Sequence, residues 1–235
     1  RTIAMSHKYS KGILSDHAVT GEFDQELIDL CHSRNVQIIL DLVINHTSDE
    51  HEWFKRALAG EEKYQDYYII REGKNGGLPN NWGNFFAECP WTKFGDTDKY
   101  YLHLFSKKQP DLNWSCPQLK EEIHDIVRWW AAKGVDGLRV DAISYLDKPE
   151  GFPDEAGEPN PQGYVLPVVL LTGRPGTHAY LHECNEKLFT PLNLVTIGEV
   201  TVFTDAELAD YVANDRAEFD MAIPFLPPVA EYGRH

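Results

Sequence analysis

Cysteine is scarce: Cys31, Cys89, Cys116 and Cys184 are the only four in 235 residues, and no two form a C-x-x-C pair. That spacing argues against a zinc cluster or a redox motif and reads as four free thiols. Cations are also few. Lys and Arg number 22 against 37 Asp and Glu, a formal net charge of −15, with no basic stripe. This balance argues against nucleic acid or an anionic membrane as partner and suits a neutral small molecule that needs no electrostatic steering. No stretch approaches the roughly 20 apolar residues of a membrane helix, and no positively charged start leads into an apolar run. A phosphate-binding glycine loop, H-E-x-x-H and G-x-S-x-G are missing too. What is present is ordinary: 42% hydrophobic residues, enough to bury one large core or two small ones.

Periodicity gives the fold class. Phe23, Leu27, Leu30 and Cys31 recur at helical spacing, Asn35 can close the helix in a left-handed conformation, and "VQIILDLVIN" follows as a continuous apolar strand. The unit returns. Pro117 suits a first helical turn, Leu119, Ile123, Ile126, Val127 and Trp130 share one face, Gly134 ends the helix, and "GVDGLRVDAISYL" supplies the next strand. Two further copies place "HAYLHECNEKLF" before "LVTIGEV" and "DAELADYVAND" before "EFDMAIPF". Helices alternating with short apolar strands predict an α/β protein with a parallel sheet and helices outside it, either doubly wound or a (β/α) barrel. From about His46 to Trp114 runs an insertion rich in Trp, Tyr, Asn and Gly. It is far longer than the roughly 2–6 residues of a usual βα loop and suggests a small inserted domain. A second long loop, rich in Pro and Gly, runs from Lys148 to Thr177.

Charge gathers at the carboxyl ends of these strands. Asp41, followed by Asn45 and His46, closes the first; Arg139 and Asp141, two residues apart and hence on one face, close the second; Glu199 closes the third. That edge is where parallel α/β architectures bind ligands. Taken singly, each has a blander reading: Asp41 a cap, Arg139 with Asp141 a structural ion pair, Glu199 a loop carboxylate, His46 a satisfied buried histidine. Shared placement on three strands favours a site. Two carboxylates at one mouth suit glycoside hydrolysis, in which one acid stays ionised to attack and the other keeps a proton for the leaving oxygen. Arg139 would hold Asp141 ionised, whereas Glu199, between Gly198 and Val200, has no cation adjacent in sequence. Asp141 is therefore expected as nucleophile and Glu199 as general acid/base.

Four segments, "DLVINH" (Asp41 to His46), "QPDLNW" (Gln109 to Trp114), "GLRVDAI" (Gly137 to Ile143) and "IGEV" (Ile197 to Val200), together resemble the α-amylase family, glycoside hydrolase family 13. "NNWGNFF" and "YYLHLFSKKQPDLNW" resemble its oligo-1,6-glucosidase and α-glucosidase branch more narrowly. The resemblance runs from about Phe23 to Phe225. It implies a (β/α)8 barrel of which about strands 3 to 6 lie here, with an inserted domain B after strand 3, and a retaining mechanism. The expected division is a first barrel segment with strand 3 over 1–46, domain B over 47–113, and a second barrel segment with strands 4 to 6 over 114–235. It further implies that Arg139 keeps Asp141 ionised, that His46 hydrogen-bonds the sugar in the cleaved-side subsite, and that Asp41 and Asn45 order the site. Phe85 or Phe86 would supply an apolar wall to the sugar ring, or else serve only as core of domain B.

Ala142, the residue after the expected nucleophile, stands where relatives preferring 1,6 bonds carry Val. This leans the expectation towards α-1,4 bonds of short malto-oligosaccharides or sucrose-like α-glucosides. The family's Asn-His-Asp motif is not found beyond Glu199, so the chain reads as a fragment, inactive or nearly so in isolation and prone to associate through open strand edges. No cofactor or metal is expected within it; calcium is possible only in a full-length parent. The expected partner is a small oligosaccharide and the expected compartment the cytoplasm. A glucosyl transferase or isomerase, of sucrose isomerase or trehalose synthase type, shares the first covalent step and is the alternative. A non-catalytic scaffold relative, which usually loses the carboxylates, is the other.

Overall fold

The computed structural model describes residues 2–6, 21–213 and 218–225, with backbone alone for 2–6 and 21–24. β1 (Thr2–Ser6) precedes α1 (Gly21–Ser33), which Asn35 closes at φ +56°, the left-handed conformation its short polar side chain tolerates. β2 (Val36–Val43) follows directly. The insertion then opens on α2 (Glu52–Leu58), whose first turn is capped by His51 Nδ1 accepting from the Trp53 amide at 3.1 Å, and continues through α3 (Glu62–Gln65). Its three short strands, β3 (Ile70–Glu72), β4 (Trp91–Lys93) and β5 (Lys99–Leu102), make an antiparallel sheet in the order β3-β5-β4.

α4 (Pro117–Ala132) starts on its proline and buries Leu119, Ile123, Ile126, Val127 and Trp130, the face the spacing predicts; Gly134 ends the turn at φ +94°. β6 (Gly137–Asp141) leads through Ala142 into a single 3-10 turn, Ile143–Tyr145. After the long loop come α5 (Val168–Leu171) and α6 (Pro175–Cys184), which runs on as a π turn over Asn185–Phe189. β7 (Val195–Thr201), α7 (Asp205–Val212) and β8 (Met221–Phe225) complete the described chain, with the Thr204 hydroxyl capping α7 by accepting from the Glu207 amide at 3.2 Å.

β1, β2, β6, β7 and β8 pair in that order, all parallel, so the described sheet is five strands of an open, partial barrel. The sequence pattern shows four of them. β1 was not legible because it lies outside the helix-then-strand units by which the other four were read; its pairing, Thr2 opposite Val36 through Ser6 opposite Leu40, identifies it. The outer face of the sheet is the core. Leu40, Leu42, Leu138, Val140 and Val200 are buried in one cluster with Leu119, Ile123, Leu181, Leu188 and Phe189 from the covering helices. The opposite face carries the polar row described below. By register it also carries Met221, Ile223 and Phe225 of β8, which stay exposed because no further strand covers them among the described residues.

A second core joins the insertion to the loop after β6: Ile69, Trp82, Trp91, Leu102 and Leu104 pack with Ala142, Tyr145, Phe152 and Leu171. Hydrogen bonds stitch the same seam. Trp82 Nε1 donates to the Pro153 carbonyl at 2.8 Å, Asn81 Nδ2 to the Glu155 carbonyl at 2.9 Å, and Asn80 Nδ2 to the Phe152 carbonyl at 3.3 Å. "NNWGNFF" is thus largely a clamp between two long connections. Among the described residues no helix is long and apolar enough to cross a membrane.

Candidate active site

Parallel register decides which side chains meet. Asp41 on β2 is opposite Arg139 on β6, which is opposite Ile197 on β7; Val43 is opposite Asp141 two residues further on. The β6–β7 ladder ends at Val140 opposite Gly198, so Asp141 and Glu199 are the next residues along adjacent strands and stand on the face opposite the core. Three carboxylates and one guanidinium converge there. Arg139 Nη1 donates to Asp141 Oδ1 at 2.6 Å and lies 3.5 Å from Asp41 Oδ1, while Nη2 contacts Glu199 Oε2. Arg139 is 14% exposed, Asp141 23% and Glu199 21%, so the carboxylates remain reachable from solvent, unlike Asp41 at 5%.

Glu199 departs from its sequence expectation. It has no cation adjacent in the chain, yet the fold brings Arg139 from the neighbouring strand against it. The guanidinium therefore touches both carboxylates of the expected pair, and their division of labour does not follow from Arg139 alone.

His46 is buried beside this row. Its Nδ1 is 3.3 Å from Asn45 Nδ2, its Nε2 is 2.8 Å from Gln109 Nε2, and burial holds its pKa below the ordinary value of 6.5, opposed by Asp111 and Asp141. Asn45, fully buried, faces Lys148, whose Nζ lies 3.2 Å from Asn45 Oδ1, 2.8 Å from Asp111 Oδ2 and 2.5 Å from the Tyr145 carbonyl. A stack of rings leads up to the imidazole. Phe105 lies 5.3 Å from His46, Phe85 stacks on Phe105 at 5.1 Å, and Tyr145 backs Phe85 at 4.9 Å. Of the two expected wall residues, Phe85 belongs to this stack. Phe86 is 61% exposed and makes no ring contact among the described residues.

Sequence reasoning missed Lys148, Phe105 and the role of Asp111. The last two lie inside the recognised "YYLHLFSKKQPDLNW" stretch, and a lysine flanked by "SYLD" and "PEG" carries no sign of burial. Among the described residues no group of three or more His, Cys, Asp or Glu is arranged to hold a metal ion.

The acidic, arginine-bridged row lies at the carboxyl edge of a parallel α/β sheet with an insertion beside it, the edge at which barrel architectures place their ligands. The family described as "Alpha amylase, catalytic domain" matches residues 16–234, and the chain belongs to that family. It is 41% identical over 214 residues to an oligo-1,6-glucosidase of Bacillus cereus, covering 91% of this chain and 38% of that protein. It is 38% identical over 204 residues to a trehalose-6-phosphate hydrolase of Escherichia coli K12, covering 87% and 36%. A crystal structure of a trehalulose synthase mutant in complex with Tris superposes with a TM-score of 0.83 at 35% identity, over 95% of this chain and 42% of that one. The chain thus spans well under half the length of the relatives it matches.

Proposed function

We propose that this chain carries the catalytic pair of a retaining α-glucosidase acting on α-1,4, and to a lesser degree α-1,6, bonds of short oligosaccharides. The observation that carries this reading is the single guanidinium of Arg139 bridging Asp41, Asp141 and Glu199 across adjacent strand ends. The Asp141 carboxylate attacks the anomeric carbon while Glu199 gives its proton to the departing glycosidic oxygen. The resulting glucosyl ester is then broken by water, whose proton returns to Glu199. A protonated Glu199 loses its ion pair with Arg139 and keeps only the weaker bond from the guanidinium to a neutral acid. Seating a glycosidic oxygen against Glu199 therefore shifts the guanidinium's attraction towards Asp141, and substrate binding itself sets the two acids apart. His46 offers a hydrogen bond to the sugar, Asp41 and Asn45 hold the surrounding groups, and the Phe85–Phe105 stack forms the apolar wall.

These steps use two carboxylates and call for no cofactor; any structural calcium belongs, on this reading, to residues outside this chain. Four cysteines without a disulfide suit the reducing cytoplasm. The five strands among the described residues are fewer than the eight that close a barrel. The 235 residues alone are accordingly expected to turn over orders of magnitude more slowly than a full-length relative. The test is a chimera in which this chain replaces the matching segment of the Bacillus cereus oligo-1,6-glucosidase. Hydrolysis of a nitrophenyl α-glucoside, lost in Asp141→Ala and Glu199→Gln, is the expected result; a folded chimera without activity overturns the reading. The trehalulose synthase likeness favours one second reading, sugar isomerisation, which shares the covalent step and differs only in the acceptor. Product analysis on sucrose separates the two.

A further inference from the structure

We infer that Lys148 is a positioning residue whose buried ammonium, acting through the Asn45 amide, fixes the His46 imidazole with its single proton on Nε2. The role of His46 as sugar donor rests on the proposed function; its tautomer does not.

Donors and acceptors have to balance around the ring. An ammonium has three protons and no lone pair. Lys148, with a side chain 3% exposed, donates to Asn45 Oδ1 at 3.2 Å and to the Tyr145 carbonyl at 2.5 Å, and pairs ionically with the buried Asp111 Oδ2 at 2.8 Å. Asn45 therefore presents its oxygen to Lys148 and its NH2 group to His46 Nδ1, 3.3 Å away. On the far side of the ring, Gln109 Oε1 accepts from the Ser106 amide at 3.1 Å, which turns Gln109 Nε2 towards His46 Nε2 at 2.8 Å. Two amide donors then face one ring. Burial keeps that ring neutral, and a neutral imidazole has a single lone pair to offer.

One amide must yield, and burial decides which. Turning Asn45 would press its NH2 against a buried ammonium and leave that ammonium short of an acceptor, at a site where Asn45 is wholly inaccessible and Asp111 likewise. Turning Gln109 sacrifices one hydrogen bond to the Ser106 amide, at a partly exposed position that water can reach. Gln109 is the group that turns, its oxygen accepting from Nε2–H, and the lone pair stays on Nδ1. A sugar oxygen that replaces Gln109 then meets a proton already in place. The same lysine ties the insertion, through Asp111, to the turn after β6, through Tyr145. The tautomer is therefore set by the closure of the two connections on each other.

Long-range 15N–1H correlation spectra of the chain at pH 8, with His46 assigned by loss of its signals in His46→Gln, test this directly. The wild type is expected to show a pyrrole-type Nε2 and a pyridine-type Nδ1; the reverse pattern overturns the inference, with His46→Gln the one variant that has to fold. Asn45→Asp keeps the Lys148 contact but offers His46 Nδ1 an acceptor, so the proton is expected on Nδ1. A folded Asn45→Asp chain still protonated on Nε2 alone overturns it. The pair Lys148→Met with Asp111→Asn removes the buried charges together and is expected to mix both tautomers, whereas an unmixed Nε2–H form in that folded variant counts against Lys148. Titration with maltose is a separate arm: a correct tautomer whose Nε2 signals do not move with maltose would sink the sugar-binding reading and leave the positioning role standing.

Discussion

Arg139 donates to Asp141, two residues further along the same strand, at 2.6 Å, and its other terminal nitrogen touches Glu199 on the neighbouring strand. A planar fork can hold two carboxylates at once; a point charge on a flexible stem cannot. Arg139→Lys in the chimera is expected to lower kcat/KM for a nitrophenyl α-glucoside by about 100-fold or more, the scale seen when one preorganised charge stabiliser is removed. Arg139→Met should cost about 3 kcal/mol in urea unfolding, since it strips the shared cation from three clustered carboxylates. Retention of wild-type rate by Arg139→Lys would remove Arg139 from the mechanism.

Ala142 sits at φ +52° and ψ +35°, with its methyl buried against the insertion core. Left-handed backbone costs a non-glycine residue roughly 1 kcal/mol, about what a buried methyl contributes. Ala142→Gly is therefore expected to leave stability within about 1 kcal/mol of wild type. Ala142→Val adds a β-branch where none is tolerated well and overfills the core, so a loss of about 1–3 kcal/mol is expected. In the chimera the same variant should raise isomaltose over maltose in relative kcat/KM; an unchanged ratio dissociates this position from linkage choice.

Burial lowers the pKa values of His46, His103 and His124 below 6.5, with desolvation the largest cause in each. The unfolded chain then takes up these protons first as pH falls. Their contribution to stability is complete above the unfolded value near 6.5 and declines as the pH drops below it towards the folded values. Urea midpoints measured from pH 8 down to pH 5 should fall below about pH 6.5, and His124→Gln should flatten the fall. A midpoint that rises on acidification through that window contradicts the assignment.

Gly198 precedes Glu199 where space has run out. A Cβ there would stand 2.9 Å from Ile143 Cδ1 and 3.0 Å from a Phe219 ring carbon. Gly198→Ala is expected to destabilise by about 1–3 kcal/mol, as overpacking does, and to shift β7 enough to lower the chimera's kcat more than its KM. Wild-type stability in Gly198→Ala would mean that Phe219 moves aside freely.

Much of the architecture was legible beforehand because its cause is local. The apolar face of α4, the left-handed Asn35, Gly134 after the helix and the apolar runs of β2, β6 and β7 all follow from period and turn chemistry within a dozen residues. β1 was illegible because no helical pattern leads into it, the cue by which the other four strands were read. The contact of Arg139 with Glu199 and the burial of Lys148 were illegible for another reason: each joins residues tens of positions apart. "NNWGNFF" could be recognised as a family mark, but its function as a clamp on Pro153 and Glu155 needed the partner loop in place.

The amino-acid order alone settled that strands alternate with helices, that charge collects at the strands' carboxyl ends, and which two acids stand there, because side-chain periodicity and residue type are properties of the chain. Tertiary structure alone decided that one guanidinium serves both acids and that a lysine lies sealed between two long connections. Such pairings exist only once distant segments share a dry interior, where every buried charge must find its complement.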